Sequence, residues 1–204
     1  MLFPGGCLIC GKVSPGGPDL CPACREGLPE EIYRRELGFP AGAPFRYRGG
    51  VQKTLWRVKF RGERGWINPL GRWMAGAARD LPEADCVTWV PMSPAKQRRR
   101  GYNQSQLLAK VVARCLGLPA QGLLTGTRET ATQHDLARAE RFANVEGAYE
   151  ALPGAAGKRV LLVDDILTTG ATLMACAQAL RQAGAVSVTG LAAAMDELEQ
   201  EATA

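Results

Sequence analysis

The sequence predicts an α/β domain built on a parallel sheet with flanking helices, preceded by a small segment held together by metal. Three observations carry that expectation. From Cys86 onward, short apolar β-type runs alternate with stretches of helical periodicity, the order of crossover units in a parallel sheet. One run, VLLVDD at 160–165, ends in two adjacent carboxylates and turns through Thr-Thr-Gly into the next helix. Residues 1–30 are rich in Gly, Pro and Cys and lack any sustained period, yet they carry two CxxC pairs.

With 204 residues and 46% apolar content, the chain can bury one core plus a small appendage, which argues against two large domains. The net charge of +5, weighted toward Arg, suits phosphate or carboxylate partners and leaves nucleic acid and small phosphorylated ligands both open. No stretch reaches the roughly eighteen apolar residues of a membrane span. The start MLFPGGCLIC lacks the basic flank and long apolar run of a signal peptide, so a cytoplasmic location without membrane insertion is expected. In that reducing compartment the seven cysteines do not read as a disulfide framework.

The elements follow in order. Cys7-Leu-Ile-Cys10 and Cys21-Pro-Ala-Cys24 stand ten residues apart. Each pair turns two thiolates toward one point, and two pairs complete a tetrahedral zinc shell; a closed shell is structural. Metal binding contributes on the order of 10 kcal/mol to folding a segment without its own core. A redox pair or unrelated cysteines are the alternatives, and the doubled spacing disfavours them. Cys86, Cys115 and Cys176 are expected in the core. Residues 1–40 thus read as the zinc-binding segment, 41–195 as the main domain and 196–204, DELEQEATA, as a solvated tail.

After a turn near Pro40 and Gly42, APFRYRG (43–49) alternates as an exposed strand. VQKTLWRVKF (51–60) sets Val51, Leu55 and Val58 at helical spacing, with Lys53, Arg57, Lys59 and Arg61 assigned to the opposite face. Residues 66–80 read as a helix bounded by Pro82, CVTWVP as a strand, and MSPAKQRRRGYNQS (92–105) as a long basic loop. Leu107, Leu108, Val111, Val112, Cys115 and Leu116 share one face of the next helix, which stops at Gly117 and Pro119. A second polar loop covers 125–150; then come the strand 159–163, a helix over 171–183 stopped by Gly184, and the strand 186–194. Trp56, Trp66 and Trp73 on helices and Trp89 in a strand are expected to pack in the core, with base stacking by one of these rings or by Tyr102 as the alternative.

Asp164 and Asp165 stand at the strand edge where α/β sheets bind ligands. Two like charges there need hydroxyl donors, a divalent cation, or both. Thr168, Thr169, Gly170, Ala171 and Thr172 lead into a helix and offer backbone N–H groups and hydroxyls at its positive end, a site for phosphate. An ordinary capped helix is the plainer alternative. Carboxylates for sugar hydroxyls beside a phosphate cradle describe a pocket for a ribose 5-phosphate. The run KQRRRG reads as a cradle for dense negative charge, as a contact to nucleic-acid phosphate, or as a solvated loop.

VLLVDDILTTGAT (160–172) is similar to the phosphoribosyl diphosphate (PRPP) signature of type I phosphoribosyltransferases. The chain as a whole resembles the ComF competence-protein family. The paired CxxC motifs, LWRVKFRG, VPMSPAKQRRRGYNQSQLLA, the stretch 133–145 and the signature carry that resemblance, in the family's order, over residues 7 to about 190. It implies a type I phosphoribosyltransferase-like fold in which Asp164 and Asp165 hold the ribose 2- and 3-hydroxyls, with Asp165 also open to magnesium, and Thr168, Thr169, Gly170, Ala171 and Thr172 wrap the 5-phosphate. It also implies a pyrophosphate or DNA loop that begins at Pro91 and Met92 and continues through Arg98, Arg99 and Arg100; Asn103 and Gln104, with Tyr102, either join that loop in binding ligand or only start the next helix. Gln133, Arg141 and Asn144 match family positions, and the lone His134 is expected to be exposed rather than a general base.

Two functions follow from the resemblance. One is a PRPP-binding factor of DNA uptake and natural transformation that handles internalised single-stranded DNA, with a competence ATPase or helicase as the partner implied by family association. The other is an active magnesium-dependent phosphoribosyltransferase, of the pentosyl type, on a base, nucleotide or other acceptor. Such transfer needs position and charge neutralisation more than covalent help. Little chain follows the last strand to form the hood that covers the base in these enzymes, and the four-cysteine segment is the candidate for that place.

Overall fold

A computed structural model describes residues 6–13, 19–127 and 147–197. Gln133, His134, Arg141 and Asn144, most of the second polar stretch, and the tail from 198 onward lie outside them. The elements are α1 (Pro22–Glu26), β1 (Tyr33–Glu36), β2 (Pro40–Ala43), β3 (Phe45–Arg46), α2 (Gly49–Arg61), a 3-10 turn (Arg64–Trp66), α3 (Ile67–Ala78), β4 (Cys86–Trp89), α4 (Pro94–Arg100), α5 (Gln104–Leu116), β5 (Leu124–Gly126), β6 (Tyr149–Ala151), β7 (Arg159–Leu167), α6 (Ala171–Gln182) and β8 (Ser187–Met195).

The main sheet has the order β1-β2-β8-β7-β4, with β3 joining β8 beyond the end of β2. β1 is antiparallel to β2, and the other pairs are parallel. β5 and β6 form a separate antiparallel pair. β7 and β8 are covered on both faces and so read as near-continuous apolar runs. Alternation along β7 sends Leu161 and Val163 to one face, against α2, α3, α5 and the cysteine segment, and Val160 and Leu162 to the other, against α6. Leu8 and Leu20 of the cysteine segment lie in the first of these clusters, so that segment shares the main core. No helix among the described residues is long and apolar enough to cross a membrane.

Several elements differ from expectation. The stretch 92–105 is not a loop: Ser93 caps α4, Pro94 fills its first turn, and Gly101 ends it at φ 80°. These are strong start and stop signals, and the cation run between them masked their meaning. The strand in 43–49 shrinks to Phe45–Arg46, and Phe45 is buried because it packs on Trp73 with ring centroids 5.8 Å apart. β7 runs past Val163 to Leu167, because Asp164, Ile166 and Leu167 continue the ladder on β8. Cys86 and Cys176 are buried, but Cys115 is exposed on α5. Trp66, Trp73 and Trp89 pack against the core, whereas Trp56 faces solvent.

Candidate functional site

The ends of β4 and β7, the C-terminal turn of α2, α4 and the start of α5 surround a cavity of about 310 Å³. Asp164 and Asp165 stand on its wall. Asp164 Oδ1 accepts hydrogen bonds from Ser105 Oγ at 2.9 Å and from the Asp165 backbone N–H at 2.8 Å. Burial, and then the neighbouring Asp165 charge, push its carboxyl up to about 7 against the pull of Lys59. Asp165 Oδ2 lies 2.9 Å from Lys59 Nζ. That oxygen is therefore charge-paired, yet it is the buried side-chain polar atom without a hydrogen bond among the described residues.

Lys59 reaches the carboxylates from α2. Burial works against its charge, but the attraction of Asp165, with Asp164 and Tyr47 behind it, outweighs burial and holds the ammonium above its ordinary range. With both carboxylates ionised, the trio keeps an excess negative charge and an orphaned oxygen, a donor set that fits a divalent cation or sugar hydroxyls.

The turn after β7 is fixed by glycine and by a distant arginine. Gly170 has φ 88°, and a Cβ there would stand 2.5 Å from Leu37 Cδ2, so only glycine serves. Thr169 Oγ1 accepts from the Ala171 N–H at 3.4 Å at the start of α6. Arg35 of β1 donates to the carbonyl of Thr168 and, at 2.6 Å, to that of Asp196, bracing the turn against the chain beyond β8. Thr168 and Thr172 line the cavity, with Tyr149 of β6 beside them. Burial first, then the nearby Cys176 and Asp164, drive the Tyr149 hydroxyl well above its ordinary range.

The opposite wall is cationic. Lys96, Arg99 and Arg100 line it, while Arg98 is exposed and lies off it. Arg100 donates to Gln104 Oε1 at 2.6 Å and lies over the Phe60 ring, 5.5 Å from its centroid. Pro91 and Met92 complete this side. Asn103 shapes the wall rather than presenting its amide: its Nδ2 donates to the Val90 carbonyl at 2.9 Å, and its Oδ1 caps α5 through the N–H groups of Ser105 and Gln106. The Tyr102 hydroxyl donates to the Val58 carbonyl.

The four cysteines form a second centre. All their Sγ atoms lie within 4.8 Å of one another. Tetrahedral zinc with bonds of ~2.3 Å sets its sulfurs about 3.8 Å apart, and Cys10 and Cys21 stand at 3.8 Å. Burial opposes ionisation of Cys7, but the backbone N–H groups of Cys10, Cys21 and Ile9 prevail and draw its thiol down to about 6. The cluster can hold a zinc ion. Asp19 ties the segment to α3 by accepting from Trp73 Nε1 at 2.6 Å.

Sequence reasoning assigned no site role to Lys59, Ser105, Tyr47, Tyr149 or Arg35. For Lys59 a signal existed: it follows Val51 and Leu55 at steps of four residues, a cation on the buried stripe of α2. The others come together only through the fold.

The phosphoribosyl transferase domain family model matches residues 103–203. Over 200 residues the chain is 37% identical to the DNA utilization protein YhgH of Salmonella typhi, covering 90% of this chain and 87% of that protein. Over 153 residues it is 35% identical to competence protein F of Haemophilus influenzae, covering 68% and 66%. Among solved structures, the glutamine PRPP amidotransferase from B. subtilis complexed with ADP and GMP is 28% identical at a TM-score of 0.43, covering 61% of this chain and 25% of that one.

Proposed function

The chain belongs to the ComF family of competence proteins, whose members share a phosphoribosyltransferase-like domain, and from that membership we propose that it binds PRPP with magnesium in the Asp164–Asp165 cavity and handles single-stranded DNA during uptake. The observation that carries the reading is the carboxylate pair, Asp165 buried and Asp164 partly so, with an Asp165 Oδ2 that is ion-paired to Lys59 but has no hydrogen bond, set between a threonine-glycine helix start and a cationic wall in one cavity.

Each residue then has a task. Asp164 and Asp165 accept hydrogen bonds from the ribose 2- and 3-hydroxyls. Thr168 and Thr172, with the N–H groups that open α6, hold the 5-phosphate. Lys96, Arg99 and Arg100 offset the pyrophosphate charge, with guanidinium forks suited to paired oxygens. Lys59 balances the carboxylates through its ion pair with Asp165. Magnesium, held at Asp165, would neutralise pyrophosphate oxygens. Zinc on Cys7, Cys10, Cys21 and Cys24 is structural.

Transfer of the ribosyl group to a base, nucleotide or other acceptor is the second reading, favoured by the cationic wall of Lys96, Arg99 and Arg100, which is suited to the charge of a departing pyrophosphate. Calorimetry is the first test: PRPP should bind only with magnesium, and the double variant Asp164→Asn, Asp165→Asn should abolish binding. Unchanged affinity in that variant would falsify the site. Pyrophosphate release that depends on an added acceptor supports transfer, and its absence across bases, nucleotides and oligonucleotides leaves the binding role.

A further inference from the structure

α2 has one buried face, formed by Val51, Thr54, Leu55 and Val58, and one outward face that its packing does not explain. On the outward face Trp56 and Phe60, one helical turn apart, are 46% and 53% exposed, with ring centroids 5.6 Å apart. The other large exposed apolar side chains among the described residues are aliphatic: Val13, Leu152, Met174 and Val186. Cations flank both rings. The Arg61 guanidinium lies 5.2 Å from the Trp56 centroid, and that of Arg100 lies 5.5 Å from Phe60. Lys53 and Arg57 share the exposed side, and α2 contains no acidic residue.

We infer that this face is a base-stacking platform for single-stranded nucleic acid, leading into the carboxylate cavity. Aromatic rings placed among cations match a strand that offers π-faces and phosphates in turn. A duplex hides its base faces, so the occupant is unpaired. Continuity supplies the direction: Phe60 and Arg100 also line the cavity, so a base on Phe60 sits at its mouth. The strand's destination rests on the cavity reading given above, whereas the stacking stands on α2 alone.

Fluorescence anisotropy with a labelled oligodeoxythymidine of roughly twelve nucleotides tests the platform. Trp56→Ala and Phe60→Ala should each weaken binding by about tenfold, and Trp56→Phe should restore most of it, with circular dichroism and melting matched across variants. Duplex DNA should bind more weakly than the single strand, and oligouridine should lose affinity with the same variants. Oligomer affinity indifferent to both alanine variants, or duplex binding as tight as the single strand, overturns the inference. A parent protein that binds no oligomer also overturns it and leaves the face to an acidic protein partner. PRPP calorimetry on Trp56→Ala should match the parent. If PRPP fails to bind while the oligomer binds through Trp56, the cavity reading falls and the platform stands.

Discussion

Asp164 is a carboxyl kept where its charge is unwelcome. Its folded value of about 7 lies above the ~3.9 of an unfolded aspartate. Between those values the folded chain holds a proton that the unfolded chain has lost. Stability from this group therefore falls as pH rises through that window, and the cost is complete above about pH 7. Asp164→Asn removes one of two crowded charges and keeps the acceptor for Ser105. At about pH 8 the variant should gain on the order of 1 kcal/mol, or about 2–4 °C in melting temperature, and the gain should shrink as pH falls and vanish below about pH 4. A variant that melts below the parent at pH 8 would show the carboxylate to be stabilising. The pair was legible because its two members and the threonine turn are contiguous. Lys59 was half legible through its place on the apolar stripe, and Ser105 was not, since nothing local marks an ordinary N-terminal serine as facing β7.

At the scale of elements, α2 joins the two centres. A Cβ on Gly50 would stand 1.6 Å from the Ile9 carbonyl oxygen, so the Cys7–Cys10 turn rests directly on the first turn of the helix. The last turn carries Lys59 to Asp165. Gly50→Ala should push the cysteine turn away while the sheet persists. Elemental analysis should then find well under one zinc per chain, with a lowered melting temperature, and full zinc with an unchanged melt would refute the coupling. α4 teaches a different lesson about reading. Its cap, its proline and its terminal glycine were all visible, but three successive arginines look like solvated loop unless the flanking signals are weighed first. Why Arg99 and Arg100 face a cavity was not legible, because α4 lies beside Asp164 only through the β4–β7 pairing.

For the whole molecule, the alternation of strand and helix after Cys86 announced a parallel sheet, and that much of the fold was written locally. The other edge was not. β1 and β2 join the sheet through β8, where Ala41 meets Gly190 and Gly42 meets Leu191, and no local pattern foretells partners so distant in sequence. Arg35 bracing the turn after β7 is a product of the same distant pairing.

Ser187–Met195 lies between β2 and β7, yet it is the last strand in chain order among the described residues. A nascent chain therefore has its sheet's two outer portions before it has the strand that joins them. Until that strand leaves the ribosome, β2 and β7 present unpaired edges, and non-local pairing of this kind is slow. A chain stopped before Ser187 should lack a cooperative thermal transition by circular dichroism, and a sharp melt in that truncation would refute this order. Synthesis of the protein thus carries a waiting period, which makes it dependent on whatever shields open strand edges during translation.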